Sequence, residues 1–211
     1  MAAAGVYHER QELLRCGIHA LNNVLQARVV DQQQLDAACM QLVQNADGPQ
    51  SPGSASAPTS LRARLWNPHR SALGLGNYDV NALMLVMQQH GPCPPSRSTR
   101  GAINNQVWNC YELHWMDKRQ KITPETVDFD AVEGVLCNVV TLGGLFSRLG
   151  LEQRHWFSIK KIDGLCFNLD SKLPAPAAFA GDDECRLFLQ ELVDTGECEL
   201  FLVKKTATDT R

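Results

Sequence analysis

Two residues near the N-terminus have the types and the spacing for acyl transfer. In the stretch QELLRCGIHALNNVLQ (residues 11–26), Cys16 precedes Ile18, Leu21, Val24 and Leu25, which recur at helical spacing with Asn22, Asn23 and Gln26 between them. A helix starting there places Cys16 in its first turn, where unpaired backbone N–H groups and the positive end of the helix dipole suit an anionic sulfur nucleophile. Gln11, five residues upstream, is near enough for its side-chain amide to donate a hydrogen bond to an oxyanion forming beside the Cys16 N–H. A cysteine is also one of the residue types most often used to fill a core, and seven others are present, so Cys16 alone does not define a site.

Nucleophilic cysteine chemistry needs a base within hydrogen-bond reach and a third group to orient that base. Asp163-Gly164, between the apolar runs 155–162 and 165–169, predicts a tight hairpin. With a two-residue turn, 162 faces 165, 155 faces 172 and 157 faces 170. Side chains on one face recur every second residue, so His155 and Asp170 become diagonal neighbours on the same face of adjacent strands. A slip of one residue would send Asp170 to the opposite face. In that register Asp170 orients the imidazole, and His155 takes the Cys16 proton and later returns it to the leaving amine. Each residue also has a plain explanation, His155 as a structural residue at a strand start and Asp170 as a strand terminator. The other histidines are simpler: His8 lies in a polar leader, His69 in a turn after Pro68, His90 at a helix end and His114 in a strand. His19, one turn after Cys16, could face the site or pack the helix, and it is given no catalytic role.

The elements that must position these residues fall into two halves. After the first helix, Asp31 can cap a second with Leu35, Ala38, Cys39, Leu42 and Val43 as its apolar stripe. Asn77 or Asp79 can cap a third that turns Val80, Leu83, Met84 and Met87 inward and stops at Gly91-Pro92. The second half reads as strands over 107–116, 136–140, 155–162, 165–169 and 199–203, with a helix before the last, capped by Asp182 or Asp183 and ending at Gly196. Helices first and antiparallel strands after predict an α+β fold. Residues 47–60, rich in Gly, Pro, Ser and Ala, and residues 92–105 read as loop insertions.

A chain of 211 residues that is 44% hydrophobic can bury one good core, which predicts a single domain. The net charge of −3, with no run of Lys or Arg, gives no sign of a phosphate-tracking surface, and nucleic acid is not an expected partner. No two of the eight cysteines have the spacing of a zinc half-site, so no metal or other cofactor is expected. The N-terminus MAAAGVYHERQ lacks the apolar core of a signal peptide, which favours reduced thiols and a cytoplasmic or nuclear location. No apolar run approaches the roughly 20 residues of a membrane span. Oligomeric state is not legible.

The segments HERQ, Cys16 with HALNNVLQ, NPHRSALGLGNYDVN, RHW at 154–156 and FNLDSKL at 167–173 resemble those of the Josephin cysteine proteases, in order and over roughly residues 6–203. The resemblance implies a papain-like fold, with a helical N-terminal half packed on an antiparallel sheet and a short tail at 204–211. It also implies a thiol-dependent deubiquitinase cleaving the (iso)peptide bond after the C-terminal glycine of ubiquitin, with ubiquitin or polyubiquitin conjugates as partners. By motif position the nucleophile falls on Cys16, the base on His155, the orienting residue on Asp170 and the oxyanion donor on Gln11. The orienting position is Asp, as in the short domain-only members; the polyglutamine-expansion member has Asn. The alternative from another class is a ubiquitin-binding adaptor whose site is idle or gated by the two insertions.

Overall fold

The computed structural model describes residues 5–13, 15–46, 67–69, 78–90, 110–141 and 153–206. The insertions expected at 47–60 and 92–105 lie outside them. Among the described residues, three helices, α1 (Cys16–Leu25), α2 (Gln32–Ala46) and α3 (Val80–His90), precede five strands. The strands are β1 (Cys110–Trp115), β2 (Gly134–Thr141), β3 (Gln153–Ile162), β4 (Leu165–Asn168) and β5 (Ala177–Ala178). Helix α4 (Asp182–Asp194) and strand β6 (Cys198–Thr206) complete the order. The strands form one antiparallel sheet in the order β1-β6-β2-β3-β4-β5. The fold is α+β, as the pattern of elements predicts.

The sheet divides the interior into two cores, which explains why its central strands are apolar on both faces. On one side Leu113, Leu136, Trp156, Phe201 and Val203 pack against Leu21, Val24, Leu35, Leu83 and Met87 of α1, α2 and α3. On the other, Val135, Cys137, Phe157, Ile159 and Leu200 pack against Cys185, Leu189 and Val193 of α4. At Gly134 a Cβ would stand against the Val24 side chain and 2.7 Å from the Ile159 carbonyl oxygen. Only glycine lets α1 lie that close to the sheet.

Local chemistry sets the helix boundaries. Asp31 and Gln34 form a reciprocal cap on α2: the Gln34 N–H donates to Asp31 Oδ1 at 2.9 Å and the Asp31 N–H to Gln34 Oε1 at 2.7 Å. Asp79 caps α3, accepting from the Ala82 N–H at 3.0 Å, and Asn77, the other expected cap, lies outside the described residues. The buried residues of α3 are Ala82, Leu83, Val86 and Met87, while Val80 and Met84 are only partly buried, a rotation of the expected stripe. At α4 the expected cap is corrected: Gly181 holds the N-cap position without a side-chain bond, and Asp182 and Asp183 sit inside the first turn. There they favour the helix dipole, and Asp182 is drawn to Lys161 at 2.9 Å.

Candidate active site

Cys16 is the first residue of α1 and is buried, 3% exposed. No side chain caps this end of the helix, and the earliest N–H groups that bond within it are those of Ile18 and His19, to the Arg15 carbonyl. The helix closes at Gln26, which takes a left-handed conformation (φ 56°) and sends its N–H to the carbonyls of Asn22 and Asn23.

His155 and Asp170 come from the hairpin. Asp163 and Gly164 both have positive φ (49° and 82°), the geometry of a tight two-residue turn. Ile162 pairs with Leu165 and Ile159 with Asn168, the register expected from the turn alone. The pairing continues for one further bond, from the Leu169 N–H to the Ser158 carbonyl at 2.8 Å. Asp170 then accepts a bond from His155, with Nε2 and Oδ1 2.7 Å apart. The same oxygen accepts from the Lys172 N–H at 2.8 Å.

The Cys16 side chain acts on the His155 ring in the same direction as Asp170, favouring its charged form. Because Nε2 is committed to Asp170, Nδ1 is the ring nitrogen left for the sulfur. The electrostatics favour a charged ring. Burial works against the imidazolium, but the hydrogen bond to Asp170, then the interaction with Cys16, outweigh it and raise His155 above its ordinary value. For Asp170, burial likewise opposes the charge, and the bonds from His155 and the Lys172 N–H win and hold the carboxyl low. The two partners therefore shift in the directions that favour an ion pair.

Gln11 meets the site differently. Its backbone N–H donates to the Ser171 carbonyl at 2.7 Å, next to Asp170, while its side-chain Nε2 donates to the Leu13 carbonyl at 2.8 Å. Leu13 makes this contact from a left-handed conformation (φ 57°). A primary amide has two N–H groups, so one orients the side chain on Leu13 and the other remains for a ligand.

None of the six described thiols, Cys16, Cys39, Cys137, Cys166, Cys185 and Cys198, is in a disulfide. Burial pushes the Cys137 thiol well up and that of Cys198 to about 11, and a contact with Cys166, followed by burial, raises Cys185. These are thiols that stay protonated. Of the other histidines, His19 is fully engaged: Nδ1 bonds Glu9 at 2.7 Å and Nε2 accepts from the Glu12 N–H at 3.2 Å. His69 pairs with Asp79 at 2.7 Å and His114 with Glu112 at 3.2 Å. His8, which composition alone leaves in a polar leader, bonds the Asp170 carbonyl at 3.0 Å.

Sequence reasoning missed the polar network that ties these parts together. Glu9 accepts from Tyr7 OH at 2.5 Å and from Asn22 Nδ2 at 3.1 Å, besides its bond to His19. Asn22 and Asn23, 1% and 0% exposed, are polar residues buried in α1, a placement that their position between the apolar residues does not signal. A hollow of 330 Å³ lined by Arg154, Trp156, Tyr78, Val80 and Asn138 adjoins the His155 strand. A larger one of 610 Å³ lies between residues 7–15 and 28–33 and is lined by neither Cys16 nor His155. Among the described residues, no cluster of His, Cys, Asp and Glu could hold a metal ion, and no helix is long and apolar enough to cross a membrane.

Residues 11–204 match the family model described as Josephin. The chain is 38% identical over 201 residues to Josephin-2 of Homo sapiens, covering 94% of this chain and 85% of that protein. It is 32% identical over 216 residues to a Josephin-like protein of Drosophila melanogaster, covering 100% of this chain and 79% of the relative. Ataxin-3 of Gallus gallus is 24% identical over 204 residues, which span 97% of this chain and 46% of that protein.

Proposed function

The chain belongs to the Josephin family, and from that premise we propose that it is a cysteine-type deubiquitinase acting through a thioester on Cys16. The observation that carries the reading is the His155 ring, hydrogen-bonded to Asp170 at 2.7 Å, with the Cys16 side chain favouring the same charged form. Cys16 Sγ attacks the carbonyl carbon of the C-terminal glycine of ubiquitin, and the electron pair moves to the carbonyl oxygen, where the Cys16 N–H and Gln11 Nε2 are the donors. As the tetrahedral intermediate collapses, the bond to the amine breaks, and the imidazolium of His155 passes its proton to the leaving nitrogen. In the second half, neutral His155 takes a proton from water, whose oxygen attacks the thioester. Ubiquitin leaves as the carboxylic acid, which releases its proton to solvent, and the thiolate–imidazolium pair returns. Asp170 stabilises the imidazolium throughout and takes no proton itself.

The test is formation of a covalent adduct with ubiquitin carrying a C-terminal electrophile, with Cys16→Ala as the control. We expect an adduct in wild type and none in the variant, with ubiquitin binding retained by the folded variant. No adduct from folded wild-type protein that still binds ubiquitin would turn the reading to the adaptor.

A further inference from the structure

The turn that carries Asp170 gives three consecutive backbone carbonyls to the N-terminal half of the chain. Asn23 Nδ2 donates to the Leu169 carbonyl at 2.9 Å, His8 Nε2 to the Asp170 carbonyl at 3.0 Å and the Gln11 N–H to the Ser171 carbonyl at 2.7 Å. A carbonyl oxygen can only accept, so His8 Nε2 carries a proton. Asn23 is fully buried in α1, two turns beyond Cys16, and its amide is spoken for on both sides. Its Oδ1 accepts from the Glu9 N–H at 2.6 Å, and Nδ2 also reaches the Glu9 carbonyl at 3.3 Å. Residues 8–11 therefore run as a strap from the nucleophile helix to the Asp170 turn.

The sheet does not supply this connection. The β3–β4 ladder ends at Asn168, and after the single Leu169–Ser158 bond the chain leaves the sheet. The contacts of the Asp170 carboxylate, to His155 and the Lys172 N–H, lie within the hairpin and the turn that follows it and do not relate it to α1. We propose that His8 and Asn23 are positioning residues of this site. By holding the carbonyls of Asp170 and Leu169 to the segment and helix that lead into and carry Cys16, they set where the carboxylate supports the imidazolium against the sulfur. The inference rests on the Cys16–His155–Asp170 reading of the site and not on the identity of the acyl group.

The test follows alkylation of Cys16 by iodoacetamide across pH, read by mass spectrometry of the Cys16 peptide. It compares wild type, His8→Leu, Asp170→Ala and the double variant, with hydrolysis of a fluorogenic C-terminal ubiquitin amide in parallel and thermal unfolding of each. His8→Leu is expected to slow alkylation near neutral pH by about tenfold to a hundredfold, moving its profile toward that of Asp170→Ala. In the Asp170→Ala background it should cost nothing further, because the residue it positions is gone. His8→Gln, which restores an N–H donor, should recover much of the rate. Asn23→Asp keeps the acceptor for the Glu9 N–H and removes the donor to Leu169; it should show the same dependence on Asp170. An unchanged profile in both variants, or equal proportional losses with and without Asp170, would overturn the positioning role. Wild-type protein that shows the alkylation pattern but leaves the ubiquitin substrate intact would overturn the proposed function and leave this inference standing.

Discussion

His155 Nε2 stands 2.7 Å from Asp170 Oδ1, and each residue shifts in the direction that favours its charged form. The shifts set a pH window for stability. A depressed carboxyl contributes above its unfolded value, about 3.9, and loses the contribution as pH falls through the folded value; a raised histidine contributes fully below about 6.5 and loses it as pH rises through the folded value. The pair therefore supports the fold most between about pH 4 and 6.5. We expect the difference in unfolding free energy between wild type and Asp170→Asn to be largest there, in urea titrations at about pH 3, 5.5 and 8.5. A difference that is flat with pH would contradict a charged pair.

The same substitution separates orientation from charge. Asn keeps an acceptor for the His155 Nε2–H and loses the negative charge, whereas Asp170→Ala loses both. Hydrolysis by Asp170→Asn is expected to fall about tenfold to a hundredfold in kcat/KM, less than in Asp170→Ala, with the basic limb moved to lower pH because the imidazolium is less stabilised. A pH–rate profile with an unmoved basic limb would remove the electrostatic role.

For Gln11, the bond from Nε2 to the Leu13 carbonyl leaves one N–H for the proposed oxyanion role. Gln11→Ala should lower kcat about tenfold to a thousandfold with little change in KM. Gln11→Glu, similar in shape but without a donor at neutral pH, should be at least as impaired. Full kcat in either variant would take the side chain out of the oxyanion site.

The parts of the site that were legible in the sequence are those fixed by local rules. Asp163-Gly164 dictates a turn and therefore a register, which is why the sequence alone brings His155 and Asp170 together. The helix starting at Cys16 and the caps at Asp31 and Asp79 follow from short-range chemistry in the same way. What could not be read is long-range and polar. Asn23 meets a carbonyl 146 residues away and His8 one 162 residues away, and no periodicity encodes such a partner. The two-residue strand β5, paired only through Phe167 and Asn168, has no sequence signal of its own.

Gly134 tests how tightly α1 must sit on the sheet. A Cβ there meets the Val24 side chain on one side and the Ile159 carbonyl, 2.7 Å away, on the other. A side-chain methyl can rotate, but a carbonyl in the β2–β3 ladder cannot move without breaking the ladder. Gly134→Ala should therefore cost about 1–3 kcal/mol, seen as a lower urea midpoint with an unchanged m-value. An unchanged midpoint would show that the helix can lift off β2 freely.

Glu9 makes the strap's dependence on buried polar chemistry measurable. Since His19 Nε2 accepts from the Glu12 N–H, its Nδ1 must donate to Glu9, and Tyr7 OH and Asn22 Nδ2 donate to the same carboxylate. Burial opposes the charge of Glu9, yet the bonds from Tyr7, His19 and Asn22 outweigh it and hold the carboxyl low. Glu9→Gln turns a group that accepts at both oxygens into one that brings an NH2 against donors, at a cost of about 1–3 kcal/mol. Because a depressed carboxyl contributes fully above its unfolded value, about 4.3, and loses the contribution as pH falls through its folded value, the cost should be greatest at neutral pH and shrink as pH falls. The Glu9 N–H and carbonyl meet Asn23, so loosening this residue should also slow turnover per folded molecule, measured well below the melting temperature. Lower stability with undiminished turnover would confine Glu9 to the fold and leave His8 and Asn23 to hold the Asp170 turn without it.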